Sequence, residues 1–349
     1  MGIAPTTGTY LISSAVGGVD DASYPGIFAL VGDFFNPKNR GKILGLLFVS
    51  QPLVTMVGFV LNQSIFGGVV QRQWLFFFSI TALIFAVLIF SFMREPRRGG
   101  REPALANSKL RGFYVWDWVQ AKYHLRQPVM LMFFGAGFFN RMPWAVLTAY
   151  SFIFLKNTFT MTNSDIYITI SSAMAALIVG YILGGYLGDI LFQKVMNGRI
   201  IPNLFGSALS GIFLVLTLRG VGGASSVSLL WLTLMGFSMG HIRPNLAASI
   251  QDVTIPELRS TTFGFFLFFE SLGELGGVLL VLLLQKWLTL GEILLLVCIS
   301  AWAIFIIFQV VLLKLLPDGI ETLRQHMAYR SYLESRMEKL ALMTNRRNN

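Results

Sequence analysis

One block of this chain occurs twice at a fixed spacing, and that repeat constrains the fold more than composition does. Asp21 to Gly45 reads DASYPGIFALVGDFFNPKNRGKILG, and Arg243 to Gly264 reads RPNLAASIQDVTIPELRSTTFG. At an offset of 219 residues (Asp33 to Asp252), Gly17 meets Gly236, Pro25 meets Pro244, Ala29 meets Ala248 and Pro37 meets Pro256. Arg40 meets Arg259, Gly45 meets Gly264 and Gly58 meets Gly277 at the same offset, with no gap. The matches fall mostly on Gly, Pro, Asp and Arg, which set turns and charges, not on the Leu and Phe that coincide in any apolar chain. The reading is an internal duplication in a membrane protein with two related halves.

Only 13% of the 349 residues are charged and 54% are apolar, where soluble domains carry about 25% charged residues. Apolar runs of about 20 residues, enough to cross a hydrocarbon core, recur along the whole length. The expected fold class is therefore all-α and polytopic. Nine spans are predicted at 9–33, 42–64, 74–93, 129–151, 165–188, 201–219, 226–250, 261–284 and 291–316. The net charge of +10 does not point to nucleic acid, because the basic residues sit in short loops between spans. Cys298 is the one cysteine and lies in an apolar run, so neither a disulfide framework nor a cysteine metal site is expected. Residues 1–8 lack the basic start of a cleavable signal.

Loop charge sets the orientation. If the hairpin at 36–42 is cytoplasmic, alternation puts 94–128, 189–200, 252–260 and 314–349 on the same side. Those segments hold 21 of the 27 Lys and Arg. The opposite loops hold Arg72, Lys156, Arg219 and Lys286. The positive-inside rule then places the N-terminus outside and the C-terminus in the cytoplasm. Four parts follow: a three-span bundle over 1–93, a basic linker over 94–128, a six-span bundle over 129–316, and a tail over 317–349. In the tail, Ile320, Leu323, Met327, Leu333, Met337 and Leu340 recur at helical spacing among Arg324, Arg330, Arg336 and Lys339. That pattern suits a basic helix on anionic lipid, or a solvated helix.

A six-span unit after a basic cytoplasmic linker resembles one half of a major facilitator superfamily protein. By that resemblance the first predicted span is helix four, and the first half is short by three spans, either as a fragment or by loss. Gly184 to Lys194 (GGYLGDILFQK) resembles the facilitator loop motif after helix eight. Gly185, Leu187, Gly188, Asp189 and Lys194 stand in place, while Phe192 and Gln193 replace its later Gly and Arg. Asp189 at the membrane edge can bond to a neighbouring helix start. The resemblance implies that Arg259 is its partner, with Asp252 as a third member, in a latch on the cytoplasmic mouth. Asp33 and Arg40 form the incomplete matching set in the first half. A solvated loop aspartate is the alternative.

Gly18-Val-Asp-Asp21-Ala-Ser-Tyr24 resembles the G-x-G-E-A-S-Y signature of Spinster-like facilitators, with Asp21 at its glutamate and Asp20 replacing a glycine. Arg94-Glu-Pro-Arg-Arg-Gly99 with Glu102, and Gln73-Trp74, resemble further stretches of that family. The resemblance implies export of lysolipids or sphingolipids by alternating access, coupled in some members to protons. Asp20 and Asp21 lie inside a span, where carboxylates are expensive and functional by default. Arg141, His241 and Arg243 would line the cavity and hold an anionic headgroup. Alternatively, Arg243 snorkels or pairs with Glu270 or Glu274, which share a face of the eighth predicted span.

No nucleophile, metal cluster or phosphate loop accompanies these acids, so neither an enzyme nor a cofactor is expected. The partners expected are a small-molecule or lipid substrate, membrane lipids and protons, with no nucleic acid, in a monomer of the plasma or endolysosomal membrane. Two other readings stand beside this one: another organic-anion facilitator, and a transport-inactive relative acting as scaffold or regulator. The orientation has a direct test. Asn107→Cys should resist an impermeant thiol reagent in intact cells and react after permeabilisation; ready labelling in intact cells contradicts the topology.

Overall fold

The duplicated block folds the same way twice. In the computed structural model, which describes residues 23–64, 72–94, 96, 98–105, 118–220 and 225–348, helix α1 (Tyr24–Phe34) carries Pro25 in its first turn and stops before Asn36. The Asn36 side chain accepts the Lys38 amide at 3.2 Å and opens a 3-10 turn, Pro37–Asn39. Helix α2 (Arg40–Phe48) follows, and α3 (Ser50–Ser64) continues it. In the second copy α10 (Ile242–Asp252) stops, a 3-10 turn forms at Pro256–Leu258, and α11 (Arg259–Leu284) begins. Each proline lacks the amide that a continuing helix needs and has the fixed φ of a first turn, so it ends one helix and starts the next.

The remaining helices are α4 (Arg72–Phe92), α5 (Trp118–Leu125), α6 (Pro128–Thr158), α7 (Asn163–Lys194), α8 (Ile200–Arg219), α9 (Ser225–Met239) and α12 (Leu290–Asn348). There is no strand among the described residues. Among the described residues, five helical stretches are long and apolar enough to cross a membrane: Pro37–Gly58, Asn163–Lys194, Ile200–Arg219, Pro256–Leu284 and Leu290–Arg336. Over residues 79–92 helix α4 is exposed almost throughout, with Phe90 at 92%, as suits an apolar helix facing lipid. The predicted span 226–250 is two helices, α9 and α10, separated by a turn at Gly240 and His241.

The tail departs further from expectation. Helix α12 runs unbroken through Pro317 to Asn348. Proline removes the bond to the carbonyl four residues back, and that carbonyl, Leu313, accepts instead from Asn197 Nδ2 at 3.0 Å. The stripe expected to face lipid is covered by protein along its first half. Leu323 and Met327 pack with Leu105, Ala121, Ile255 and Leu258, and Ile320 joins the main core. Arg330 pairs with Glu257 in the turn before α11.

Helices α6, α11 and α12 pack side by side; α7 packs on α9 and crosses α2 and α3. Glycine sets that crossing. A Cβ on Gly185 would lie 2.2 Å from the Gly41 carbonyl oxygen, and one on Gly45 would lie 2.4 Å from that of Tyr181. Backbone therefore meets backbone, as small residues permit between membrane helices. Gly185→Ala should lower the melting temperature in detergent through a loss of about 1–3 kcal/mol. Gly58→Ala, whose Cβ meets nothing within 4 Å, should leave it unchanged. Equal melting of the two variants would contradict the crossing.

Candidate functional site

The α2–α7 crossing brings Asp189 against the start of α2. Its Oδ1 accepts from the Gly41 amide at 3.0 Å and its Oδ2 from the Lys42 amide at 2.9 Å. These are amides that a helix leaves without internal partners, at the positive end of its dipole. Asp189 does not meet Arg259, the partner the motif implied. Its guanidinium is Arg199, one residue before α8, which donates to Oδ1 at 2.6 Å. Arg199 also donates to the Pro37 carbonyl at 2.6 Å and to Asp252.

The duplicated charges cross over between the repeats. Arg259 of the second copy donates to Asp33 of the first at 3.1 Å, and Arg40 of the first to Asp252 of the second at 3.4 Å. Glu102, from the segment joining the halves, accepts from both Arg40 and Arg259. Asp33 further accepts the Gly99 amide at 2.9 Å, and Arg40 donates to the Gly32 carbonyl at 3.0 Å. All seven side chains are buried, with Arg199, Arg259 and Asp189 at 0% exposure. A buried ion without a partner costs several kcal/mol, and here none is unpaired. Burial pushes the Glu102 carboxyl upward, but Arg40 and Arg259 outweigh it and hold it below the ordinary carboxylate value.

A second charged layer lies one step away from this cluster. Arg243 Nη2 donates to Glu270 at 3.1 Å and Nη1 to Gln51 at 3.1 Å, and its guanidinium lies 4.7 Å from the Phe48 ring centre. Arg141 pairs with Glu274 and lies over the Trp144 ring. Both arginines thus already carry carboxylate partners. His241 is elsewhere: Nδ1 bonds the Phe237 carbonyl at 3.0 Å, and the residue packs on Gly184 and Gly206. It stands between α7 and α8, apart from Arg243. Asp20 and Asp21 lie outside the described residues.

Beyond this layer is a cavity of about 340 Å³ between α6, α7 and α9, with Thr55 of α3 on its wall. Among the described residues its lining is mostly Leu, Met, Ile, Phe and Trp with a few hydroxyls and no charged side chain. Thr148 and Thr169 donate their hydroxyls to carbonyls of their own helices. Leu177 and Thr55 line the cavity, and Tyr181 and Gln51, the latter bonded to Arg243, follow them one turn nearer the cluster. The charged layer is therefore the cavity's floor, and the buried cluster lies beneath it.

Sequence reasoning missed Arg199 and Glu102 as members of the cluster and Gln51 as a contact of Arg243. One signal was available. Asp33, Asp189 and Asp252 against Arg40 and Arg259 leave one acid without an arginine, and Arg199 is the nearest arginine to Asp189 in the chain.

Comparison with known proteins gives a consistent picture. The profile of the Major Facilitator Superfamily matches residues 1–278. The chain is similar to the multidrug transporter protein MdtP of Bacillus subtilis (strain 168), at 20% identity over 306 residues, covering 73% of this chain and 54% of that protein. It is also similar to multidrug resistance protein 1 of the same organism, at 27% identity over 197 residues, covering 55% of this chain and 45% of that protein. The chain thus spans about half the length of the curated relatives it matches.

A double-mutant cycle tests the cluster's pairing. Asp189→Asn with Arg199→Gln should show a coupling of about 0.5–3 kcal/mol in thermal melts, and Asp189→Asn with Arg259→Gln a smaller one. The reverse order would restore the pairing that the loop motif implied.

Proposed function

The chain belongs to the major facilitator superfamily, and on that premise we propose that it carries an amphipathic organic solute across a membrane by alternating access. One observation supports this above the others: the ion pairs of the two repeats cross, so the same contacts that seal one end join the halves that must separate to open it. The cluster is a latch on the cytoplasmic mouth, a reading that the basic loops around it support. With the latch closed, the apolar chamber lies on the far side of it, above a charged floor. The state is one in which a solute enters from outside or leaves toward it.

Within the superfamily, the Spinster-like stretches around Asp21 and Glu102 favour a lysolipid or sphingolipid. The names of the two Bacillus relatives favour a wider range of lipophilic compounds. Both readings need an apolar body, which the chamber takes, and both agree with a lining that is uncharged among the described residues. Proton coupling through Asp21 belongs to the first reading.

The chain reconstituted in liposomes, with the latch side facing inward, should move a fluorescent lysophosphatidylcholine and lose that activity in Asp252→Asn. Lysolipid movement equal to that of empty liposomes, beside a facilitator control that works, would reject the transport reading and favour a scaffold or regulator. Movement of a lipophilic cation such as tetraphenylphosphonium without lysolipid would assign the multidrug range instead.

A further inference from the structure

The hydroxyls on the chamber wall carry a second inference, which rests on the reading of the chamber as the solute's site. Thr55 of α3, Thr148 of α6 and Thr169 of α7 all line it. Each gives its one hydroxyl proton to its own helix. Thr55 donates to the Gln51 carbonyl at 3.0 Å, Thr148 to the Trp144 carbonyl at 2.8 Å and Thr169 to the Asp165 carbonyl at 2.8 Å. A carbonyl can only accept, so the direction of these bonds is fixed. A hydroxyl that has donated keeps its lone pairs and can still accept. Threonines from three helices therefore offer the chamber acceptors and no proton.

We propose that the chamber takes an uncharged amphipath whose head donates hydrogen bonds, an alkyl polyol, with Thr55, Thr148 and Thr169 accepting from it. A head that only accepts, such as an ether or a sulfate, gains nothing from these threonines unless one gives up its helix bond, and a polar group left unbonded in an apolar cavity is expensive. A hydroxyl head meets the threonines as they stand. Charge is disfavoured on separate grounds. The described lining holds no ionic side chain, and the arginines of the floor are engaged, Arg141 by Glu274 and Arg243 by Glu270. A lone ion above them would enter the interior without a counter-charge.

The rest of the lining suits the same solute. Ser151 and Tyr167 stand on the wall with hydroxyls that can give or accept, and Trp144 brings an indole N–H. These groups can serve the oxygens that a polyol carries beside its protons. Leu177, Leu232 and Met235 supply the apolar surface that receives its chain.

The test uses the full chain in phosphatidylcholine nanodiscs, with empty nanodiscs as the blank, and calorimetric binding of three probes that share one chain: the octyl monoether of glycerol, the dimethyl ether of that compound, and octyl sulfate. The first has hydroxyl donors, the second has none and the third is an anion. The glycerol monoether should bind about tenfold more tightly than its dimethyl ether, and octyl sulfate more weakly than the glycerol monoether. Thr148→Val and Thr169→Val keep the side chain's shape and remove the acceptor, so each should cut the preference to about threefold. Thr148→Ser, which keeps the hydroxyl, should retain it. The dimethyl ether should bind the valine variants as it binds the wild type, which also shows that they have folded. Equal binding of the two ethers by the wild type, a preference unchanged in both valine variants, or tighter binding of octyl sulfate overturns the proposal and leaves the chamber reading standing. Binding of none of the three probes rejects the chamber itself, and the proposal with it.

Discussion

An arginine taken out of water must find a carboxylate or a carbonyl, and three of them at one end of this bundle organise the rest. Arg40, Arg199 and Arg259 are buried to within 1% of complete enclosure. Replacing one partner of such a pair typically costs about 3–5 kcal/mol, because the other charge is left in a dry interior. Each copy of the repeat ends a helix on an aspartate and opens the next on an arginine seven residues later. Within one copy those two charges point to the other copy instead of to each other. Satisfying one half therefore requires the second, and the interface is specified by solvation as much as by shape.

That requirement was partly legible in the sequence. The offset of 219 residues found Asp33, Arg40, Asp252 and Arg259 because Gly, Pro and charged residues keep their places when apolar residues drift. The loop glycines announced the close crossing that carries Asp189 to the start of α2. Who pairs with whom was not legible, since a motif fixes a residue's place along the chain and not the direction its side chain takes in the bundle. Glu102 and Arg199 sit in loops whose charges say which side of a membrane they occupy, and nothing local distinguishes a solvated loop charge from one folded under the bundle. The tail shows the same limit. Ile320, Leu323 and Met327 form an apolar stripe that suits lipid or protein equally, and the linker at Leu105 decides for protein.

Three layers stack along the bundle: a chamber uncharged among the described residues, a floor of two compensated arginines, and the buried charge cluster. They share helices. Leu177, Tyr181, Gly185 and Asp189 run down one face of α7 at four-residue steps, from chamber wall to floor to crossing to latch. Arg243 stands on α10 about two and a half turns above Asp252. A change at the floor thus has helix between it and the buried charge cluster, which is the kind of contiguous packing through which sites influence one another. The linker and tail close the stack from beneath through Leu105, Leu323 and the pair of Arg330 with Glu257.

The central claim is that the crossed pairs, and not apolar packing alone, hold the two repeats together at this end. The direct measurement is a spin-label distance between Lys38→Cys and Ser260→Cys, exposed positions flanking the latch in the two repeats, taken in nanodiscs; Cys298 is buried and does not compete for label. The account predicts one short, narrow distance, joined by a longer population when Asp252→Asn removes the shared partner of Arg40 and Arg199. A distribution that is unchanged by Asp252→Asn would contradict it.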